Sequence, residues 1–250
     1  MNRSILNVVM PVYNEAKSVR IVIEEVLELH IDGIQINLIV VGGGSTDGTD
    51  EIILEFALIK NVTVLIQDKP RGKGNAVREG FKHIRDGIVL IQDGDTEYRV
   101  DEYSKLLNPI LDGRTDFVLG SRYTDSPMRK FGRYGVRSSF MNIGHKFFTF
   151  LFNSLYNVKL DDPFTMFKVF RSHCISGLDF ESNRFDFDYE LLSKIVRRGY
   201  IPLEVPVTYV SRGFAEGKKI RIFRDPLTWL VALIKFKYVS IEPQEKNAYK

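Results

Sequence analysis

The sequence predicts an α/β protein with a mostly parallel central sheet and helices packed on its faces. Two observations carry this. Short apolar runs of strand length recur through the first half of the chain, and the segments between them repeat apolar residues at helical spacing. A third observation gives the direction of interest: polar turns follow the first, second and fourth runs, and parallel sheets gather their ligands at the carboxyl ends of the strands.

The strand-like runs are Asn7–Val12, Ile36–Val41, Val62–Ile66, Ile88–Gln92 and Asp116–Gly120. After the first, "KSVRIVIEEVLELH" places Val19, Val22, Ile23, Val26 and Leu27 on one helix face. Further helical patterns fill Asp47–Leu58, Asn75–Ile84 and Asp101–Leu111. After Gly120 the rhythm changes to a basic loop, "SRYTDSPMRKFGRYGVR", and then to a phenylalanine-rich helix through about Leu155. Core packing is the first expectation for those aromatics. The later pieces "MFKVFR", "DYELLSKIVRRG" and "IPLEVPVTYV" read as strand, helix and strand that extend the same body. A single domain over 1–240 is expected, with 241–250 as a disordered tail.

Composition narrows the function classes. A formal charge of +3, from 35 basic and 32 acidic side chains, is too small for bulk nucleic-acid binding. The one cysteine, Cys174, excludes an intramolecular disulfide and suits a reducing compartment. It reads as a small buried apolar residue. The first apolar run is too short and too interrupted, by Asn7 and Pro11, for a signal peptide. "PLTWLVALIKFKY" carries two lysines and falls short of the about 20 apolar residues of a membrane span. The expected location is cytoplasmic, or peripheral at the cytoplasmic face of a membrane. The four histidines lie far apart, without ligand spacing.

The turn "GGGSTDGT" after the second run tempts a phosphate-loop reading, and the spacing refuses it. Counted from Gly42, a dinucleotide fingerprint meets Asp47 at its sixth place; counted from Gly43, a Walker loop meets Thr49 where its lysine belongs. Asp47 reads as a helix N-cap or Asx-turn residue. In "IQDGDTEY", Asp93, Asp95 and Glu97 follow a strand at intervals that let hard oxygens converge on a divalent cation. A calcium EF-hand fails on Tyr98 and Ser104, where glycine and glutamate are required. The remaining alternative is a solvated acidic turn.

Taken in order, "VVMPVYNE", "GSTDGT", "RGKGNAVREGF", "IQDGDTEY", "GSRY", "DPFTMFKVF" and "EVPVTYVSRGFAEGKKI" resemble a family 2 glycosyltransferase of GT-A fold, nearest the dolichyl-phosphate mannose synthase-like branch. The resemblance covers nearly the whole chain. It implies a UDP- or GDP-linked sugar donor bound in residues 1–120, and an acceptor side in 121–240. Donor-binding positions implied by it are Pro11, Tyr13, Glu15, Gly42, Gly43, Lys73 and Asp93. Relatives commonly carry carboxylates at the places of Gly42 and Gly43, so these glycines read as a loss. A cofactor, Mg²⁺ or Mn²⁺, is implied on Asp93 and Asp95 with Glu97 beside them. A divalent cation and a nearby lysine, for which Lys73 is chosen, stabilise charge building on a leaving nucleoside diphosphate.

The resemblance also implies that Arg122, Arg133 and Arg137 hold an acceptor phosphate, with Arg212 and Lys218 closing over the diphosphate. Guanidinium forks suit phosphate oxygens. Arg129, Lys130 and Lys219 add to these basic stretches, for which a solvated loop is the alternative. If the acceptor is a sugar hydroxyl, Asp188 or Glu190 is the candidate base; a phosphate acceptor needs none. The expected activity is therefore metal-dependent, inverting transfer to a polyprenyl phosphate. The alternatives are transfer to a carbohydrate hydroxyl in polysaccharide or glycan assembly, and a nucleotide-binding protein that has lost transferase activity.

Overall fold

The structure, a computed structural model, describes residues 3–123, 135–210 and 225–241. Seven strands form one sheet: β1 (Ser4–Val12), β2 (Ile34–Gly42), β3 (Val62–Ile66), β4 (Ile88–Ile91), β5 (Phe117–Ser121), β6 (Lys168–Arg171) and β7 (Leu203–Pro206). Their spatial order is β3-β2-β1-β4-β6-β5-β7. All neighbours run parallel except at β6, which is antiparallel to both β4 and β5. The five expected runs are all strands, within three residues at each end, the largest difference being the start of β1. The last expected strand is shorter than its apolar run, continuing only as an isolated antiparallel bridge from Tyr98 to Tyr209.

Helices cover both faces of the sheet. One layer holds α1 (Val19–Glu28), α2 (Thr49–Leu54) and α4 (Tyr103–Leu111); the other holds α3 (Lys73–Phe81), α5 (Gly135–Tyr156), α6 (Phe187–Arg197) and α7 (Asp225–Tyr238). The pleat sorts the strand residues: Leu6, Val8, Met10 and Val12 face the first layer, while Val9 faces the second. Strands buried on both faces read as continuous apolar runs, which is why β1, β2 and β4 stand out in the sequence. On α1 the predicted stripe is the buried one, with Val19, Val22, Ile23 and Val26 in the core.

The phenylalanine-rich helix divides. Phe148, Phe152 and Tyr156 are core, as expected, whereas Phe147 and Phe150 are exposed, because a helix packed on one side can bury only one stripe. Cys174 is buried, and burial pushes its thiol up to about 12. No helix among the described residues is long and apolar enough to cross a membrane.

Glycine at position 80 is a packing requirement. A Cβ there would stand 2.5 Å from Val9 Cγ1, so α3 lies on β1 only because the side chain is absent. A Cβ at Gly144 in α5 would meet nothing. Gly80→Ala should therefore lower stability by about 1–3 kcal/mol through overpacking. Gly144→Ala should raise it by roughly 0.5–1 kcal/mol, the usual gain in a helix interior. Urea melts of the two variants check the contrast, and equal effects would refute the packing argument.

Candidate active site

Three turns meet at the carboxyl edge of the sheet, and hydrogen bonds stitch them together. Asn14, in the left-handed region at φ 50°, receives Thr46 N–H on its side chain at 2.9 Å and gives its own N–H to Ser45 Oγ at 3.1 Å. Glu15 N–H reaches Thr49 Oγ1 at 2.8 Å, and Ala16 N–H reaches Asp47 Oδ2 at 3.1 Å. Asp47 also accepts Thr49 N–H through Oδ1 at 3.1 Å, an Asx turn; the N-cap position itself is Gly48. Burial opposes ionisation of Asp47, yet these donors win and hold its pKa below the ordinary value. The third turn joins through Ser18, whose hydroxyl donates to Gly94 O at 3.0 Å.

Gly42 has a reason that the sequence concealed. A Cβ at this position would lie 2.7 Å from Asp50 Oδ1 and 2.8 Å from Ile53 Cδ1. The space beside the strand end is thus occupied by a carboxylate from α2. Asp50 Oδ2 accepts Ser45 N–H at 2.8 Å and so shapes the turn. Gly43 approaches the neighbouring strand closely, donating its N–H to Val12 O at 2.7 Å. A side chain at position 42 would have to displace Asp50, so this glycine also makes room for the turn that Asp50 holds.

At the end of β4, Asp93 is ion-paired with Lys73 and both are largely buried. Burial alone would lower the Lys73 pKa, but the charges of Asp93 and Asp188 raise it, so the ammonium persists. The glycines around Lys73 serve close packing. A Cβ at Gly72 would fall 2.3 Å from Asn183 O, and one at Gly74 would fall 2.4 Å from Phe187 Cβ. This contact presses the start of α3 against the start of α6 and brings Lys73 near Asp188.

Asp95 is buried and accepts Glu97 N–H at 3.0 Å. Glu97 departs from the expected triplet: its carboxylate accepts the Tyr209 hydroxyl at 2.7 Å. Among the described residues no three His, Cys, Asp or Glu side chains form a ready metal cluster. Of the three acids, Asp93 and Asp95 are the two whose charges are felt at Lys73.

Two residues expected on the acceptor side already have partners in the packing. Glu190 is fully buried, accepts Ser182 N–H at 2.8 Å and pairs with Lys194 at 2.5 Å, so it anchors a loop and is not available as a base. Arg122 is committed as well. Its Nε and Nη2 grip Asp162 at 2.6 and 2.7 Å, a bidentate pair in which Asp162 is fully buried. The rings of Tyr123 and Tyr209 lie 5.2 Å from the guanidinium carbon. Asp162 fills the Nε–Nη2 edge of the guanidinium, and with the side chain only 9% exposed a further anion would have to be met from the Nη1 side. Arg133, Arg212 and Lys218 lie outside the described residues, as does the side chain of Arg137.

Asp188 stands differently. Its Oδ1 accepts from Lys168 Nζ at 3.1 Å, and Lys168 is fully buried in the sheet. Burial lowers the Lys168 pKa, offset in part by Asp188. Sequence reasoning missed Lys168 because a lysine inside "MFKVFR" reads as the outward face of a strand; only the position of Asp188 reveals its partner. Pro11 is buried in the strand end, while Tyr13 is exposed at the rim.

The family described as Glycosyl transferase family 2 matches residues 7–178, from the first strand through the segment after β6. The chain belongs to that family. Among relatives, it is 28% identical over 219 residues to the glycosyltransferase AglJ of Haloferax volcanii, covering 87% of this chain and 67% of that protein. It is 27% identical over 225 residues to a polyprenol monophosphomannose synthase of Mycolicibacterium smegmatis, covering 84% and 79%. Its fold matches the GT-A glucosyl-3-phosphoglycerate synthase of Mycobacterium tuberculosis, crystallised with Mn²⁺, UDP and phosphoglyceric acid. That match has a TM-score of 0.69 at 18% identity, over 96% of this chain and 80% of that one. The chain is thus a family 2 glycosyltransferase of GT-A fold, similar to the polyprenyl-phosphate sugar synthases.

Breaking a buried pair by removing one partner typically costs about 3–5 kcal/mol. Arg122→Ala should lose stability on that scale, seen in a denaturant melt, where a phosphate-binding surface arginine would change it little. Glu204 supplies a pH test of the same region. Its carboxylate accepts Asp161 and Asp162 N–H at 2.7 and 2.6 Å. Burial nevertheless pushes its pKa up to about 7 from 4.5. Because the folded value is raised, its stabilising contribution is complete below about pH 4.5 and is lost as pH rises through about 7. The fall in Tm between pH 5 and 8 should therefore be smaller in Glu204→Gln than in wild type.

Proposed function

We propose that this glycosyltransferase moves a sugar from a nucleoside-diphosphate donor to a polyprenyl phosphate, with inversion and with help from Mg²⁺ or Mn²⁺. The observation that carries the reading is the ion pair of Asp93 with the largely buried Lys73 at the strand edge, with the buried Asp95 two residues on and its charge felt at Lys73. Two hard carboxylates fit a divalent ion whose remaining positions a diphosphate would fill, and the kinship to an enzyme crystallised with Mn²⁺ and UDP supports it. Such an ion, held by Asp93 and Asp95, would supply Lewis-acid neutralisation of the leaving group.

The chain's own residues do the rest. The stitched turns of Tyr13–Ala16 and Ser45–Thr49 form the floor for base and ribose. We assign Lys73, kept protonated beside Asp93, to the negative charge that grows as the bond from the anomeric carbon to the diphosphate oxygen breaks. The new bond forms from that carbon to an acceptor oxygen on the opposite face. Asp188 bears on which acceptor this is. Its Oδ1 accepts from the buried Lys168 Nζ at 3.1 Å, and only a hydroxyl acceptor would call on it as a base. An acceptor phosphate oxygen is already anionic and asks for no base. The likeness to a polyprenol monophosphomannose synthase points the same way. With one edge of Arg122 held by Asp162, we assign the acceptor phosphate chiefly to Arg133 and Arg137, and leave Arg212 and Lys218 to close over the diphosphate.

Transfer to a carbohydrate hydroxyl is the second reading, and it needs Asp188 as base, since Glu190 is sealed. Turnover assays with UDP- and GDP-sugars, Mn²⁺, and either a short polyprenyl phosphate or a saccharide decide between them; saccharide turnover alone would overturn the lipid-phosphate reading. Asp93→Asn and Asp95→Asn should each cut transfer by about a hundredfold or more. They should also abolish the Mn²⁺-dependent thermal shift given by the cognate nucleotide. Full activity in both variants would remove the metal from the proposal.

A further inference from the structure

Helices α5 and α7 touch each other and pack against α6, yet each leaves an apolar stripe uncovered. On α5 the stripe is Ile143, Phe147 and Phe150; on α7 it is Leu227, Val231, Ile234 and Tyr238, and all seven are between 49% and 75% exposed. The spacing, i, i+4, i+7 and on α7 i+11, is that of a helix designed to bury a second face. A monomeric soluble surface rarely exposes this much contiguous apolar area without a partner. The pairing of the helices is explicit: Trp229 packs edge-on against Phe148 at 5.6 Å, and Tyr156 donates its hydroxyl to Leu233 O at 2.9 Å.

Charge decides what covers the stripes. Between them the two helices contain one acid, Asp225, while Lys146, Lys235 and Lys237 accompany the apolar residues. Lys235 is half-exposed although paired with Glu181. A second copy docked face to face would set lysines against lysines. Anionic lipid headgroups would instead receive them, as they receive the basic flanks of interfacial helices. Neither helix qualifies as a membrane span, so the fitting geometry is one that lies in the interface.

The face is also tied to the site. The ring of His145 in α5 lies tilted against Tyr123 at 4.6 Å, beside Arg122, and Trp229 of α7 stacks on Tyr189, the residue after Asp188, at 5.7 Å. From these observations we infer that α5 and α7 form a docking surface for an anionic lipid bilayer, which holds the acceptor side of the site at headgroup level. The meaning of this position for catalysis rests on the lipid-phosphate acceptor; the docking itself does not.

The test is flotation of the full chain with phosphatidylglycerol-containing vesicles and with phosphatidylcholine vesicles. The chain should float with the anionic vesicles and be released by high salt. The double variant Phe147→Asp/Val231→Asp should lose at least tenfold in vesicle binding. Its melting temperature, its nucleotide-induced thermal shift and its turnover on a water-soluble short-chain acceptor should match wild type. Phe150→Gln/Ile234→Gln supplies a milder second pair should the aspartates impair folding. Absence of flotation, or a concentration-dependent dimer that the same variants dissociate, would overturn the surface. A wild-type chain that turns over the lipid phosphate but never floats with anionic vesicles would sink this inference alone; docking without turnover on any lipid phosphate would sink the acceptor reading alone.

Discussion

The second half of this fold hangs on one buried ion pair, Arg122 with Asp162. It closes the end of β5 onto the segment that leads into β6, and everything around it is arranged to satisfy it. Arg122 N–H adds a third hydrogen bond to the same carboxylate at 3.0 Å, and Glu204 of β7 takes the backbone N–H groups of Asp161 and Asp162. Burial alone would raise the Asp162 pKa, but the guanidinium overrides it and holds the carboxylate ionised. A pair so enclosed contributes less through its own attraction than through the penalty for disturbing it. That penalty fixes where β5, β6, β7 and α5 sit relative to one another.

From that frame the site's charges fall into alternation. Asp93 faces Lys73, and Asp188 faces Lys168; the charge of Asp188 is felt at Lys73 as well. Two of the acids thus have a cation each, and Asp95 stands as a third carboxylate whose charge Lys73 also feels. A nucleoside diphosphate would enter as added anion, and the ammonium of Lys73 is the group placed to answer it. The glycines at 72 and 74 are what let the two pairs approach.

Much of this was legible in the sequence, and the reasons are physical. Strands buried on both faces announce themselves as apolar runs, and the rule that ligands gather at strand ends then points to the turns that carry Tyr13, Asp47, Asp93 and Asp95. What stayed hidden were partnerships across long stretches of chain. Arg122 follows a strand in the manner of a ligand-binding arginine, and nothing local reveals that Asp162, 40 residues on, fills its fork. Gly42 looks like an absence until Asp50 is seen to occupy its space. Glu190 and Asp188 are indistinguishable as letters, two apart on one helix, yet one is sealed beneath a loop and the other faces Lys73. Spacing reports which residues share a face; it does not report which charge has already been spent.

The reversal of β6 also constrains how the sheet can be assembled. In the finished structure β5 is hydrogen-bonded only to β6 and β7, never to β4. The first four strands in sequence form a contiguous parallel block as soon as β4 is made. The next strand then has no edge to join until residues 168–171 have been synthesised, roughly 50 residues later. At translation rates of about 5–20 residues per second that interval lasts several seconds. During it, the emerging chain carries an open edge on β4 and a detached apolar strand together, the combination most exposed to wrong pairing. Arrival of β6 closes both liabilities at once.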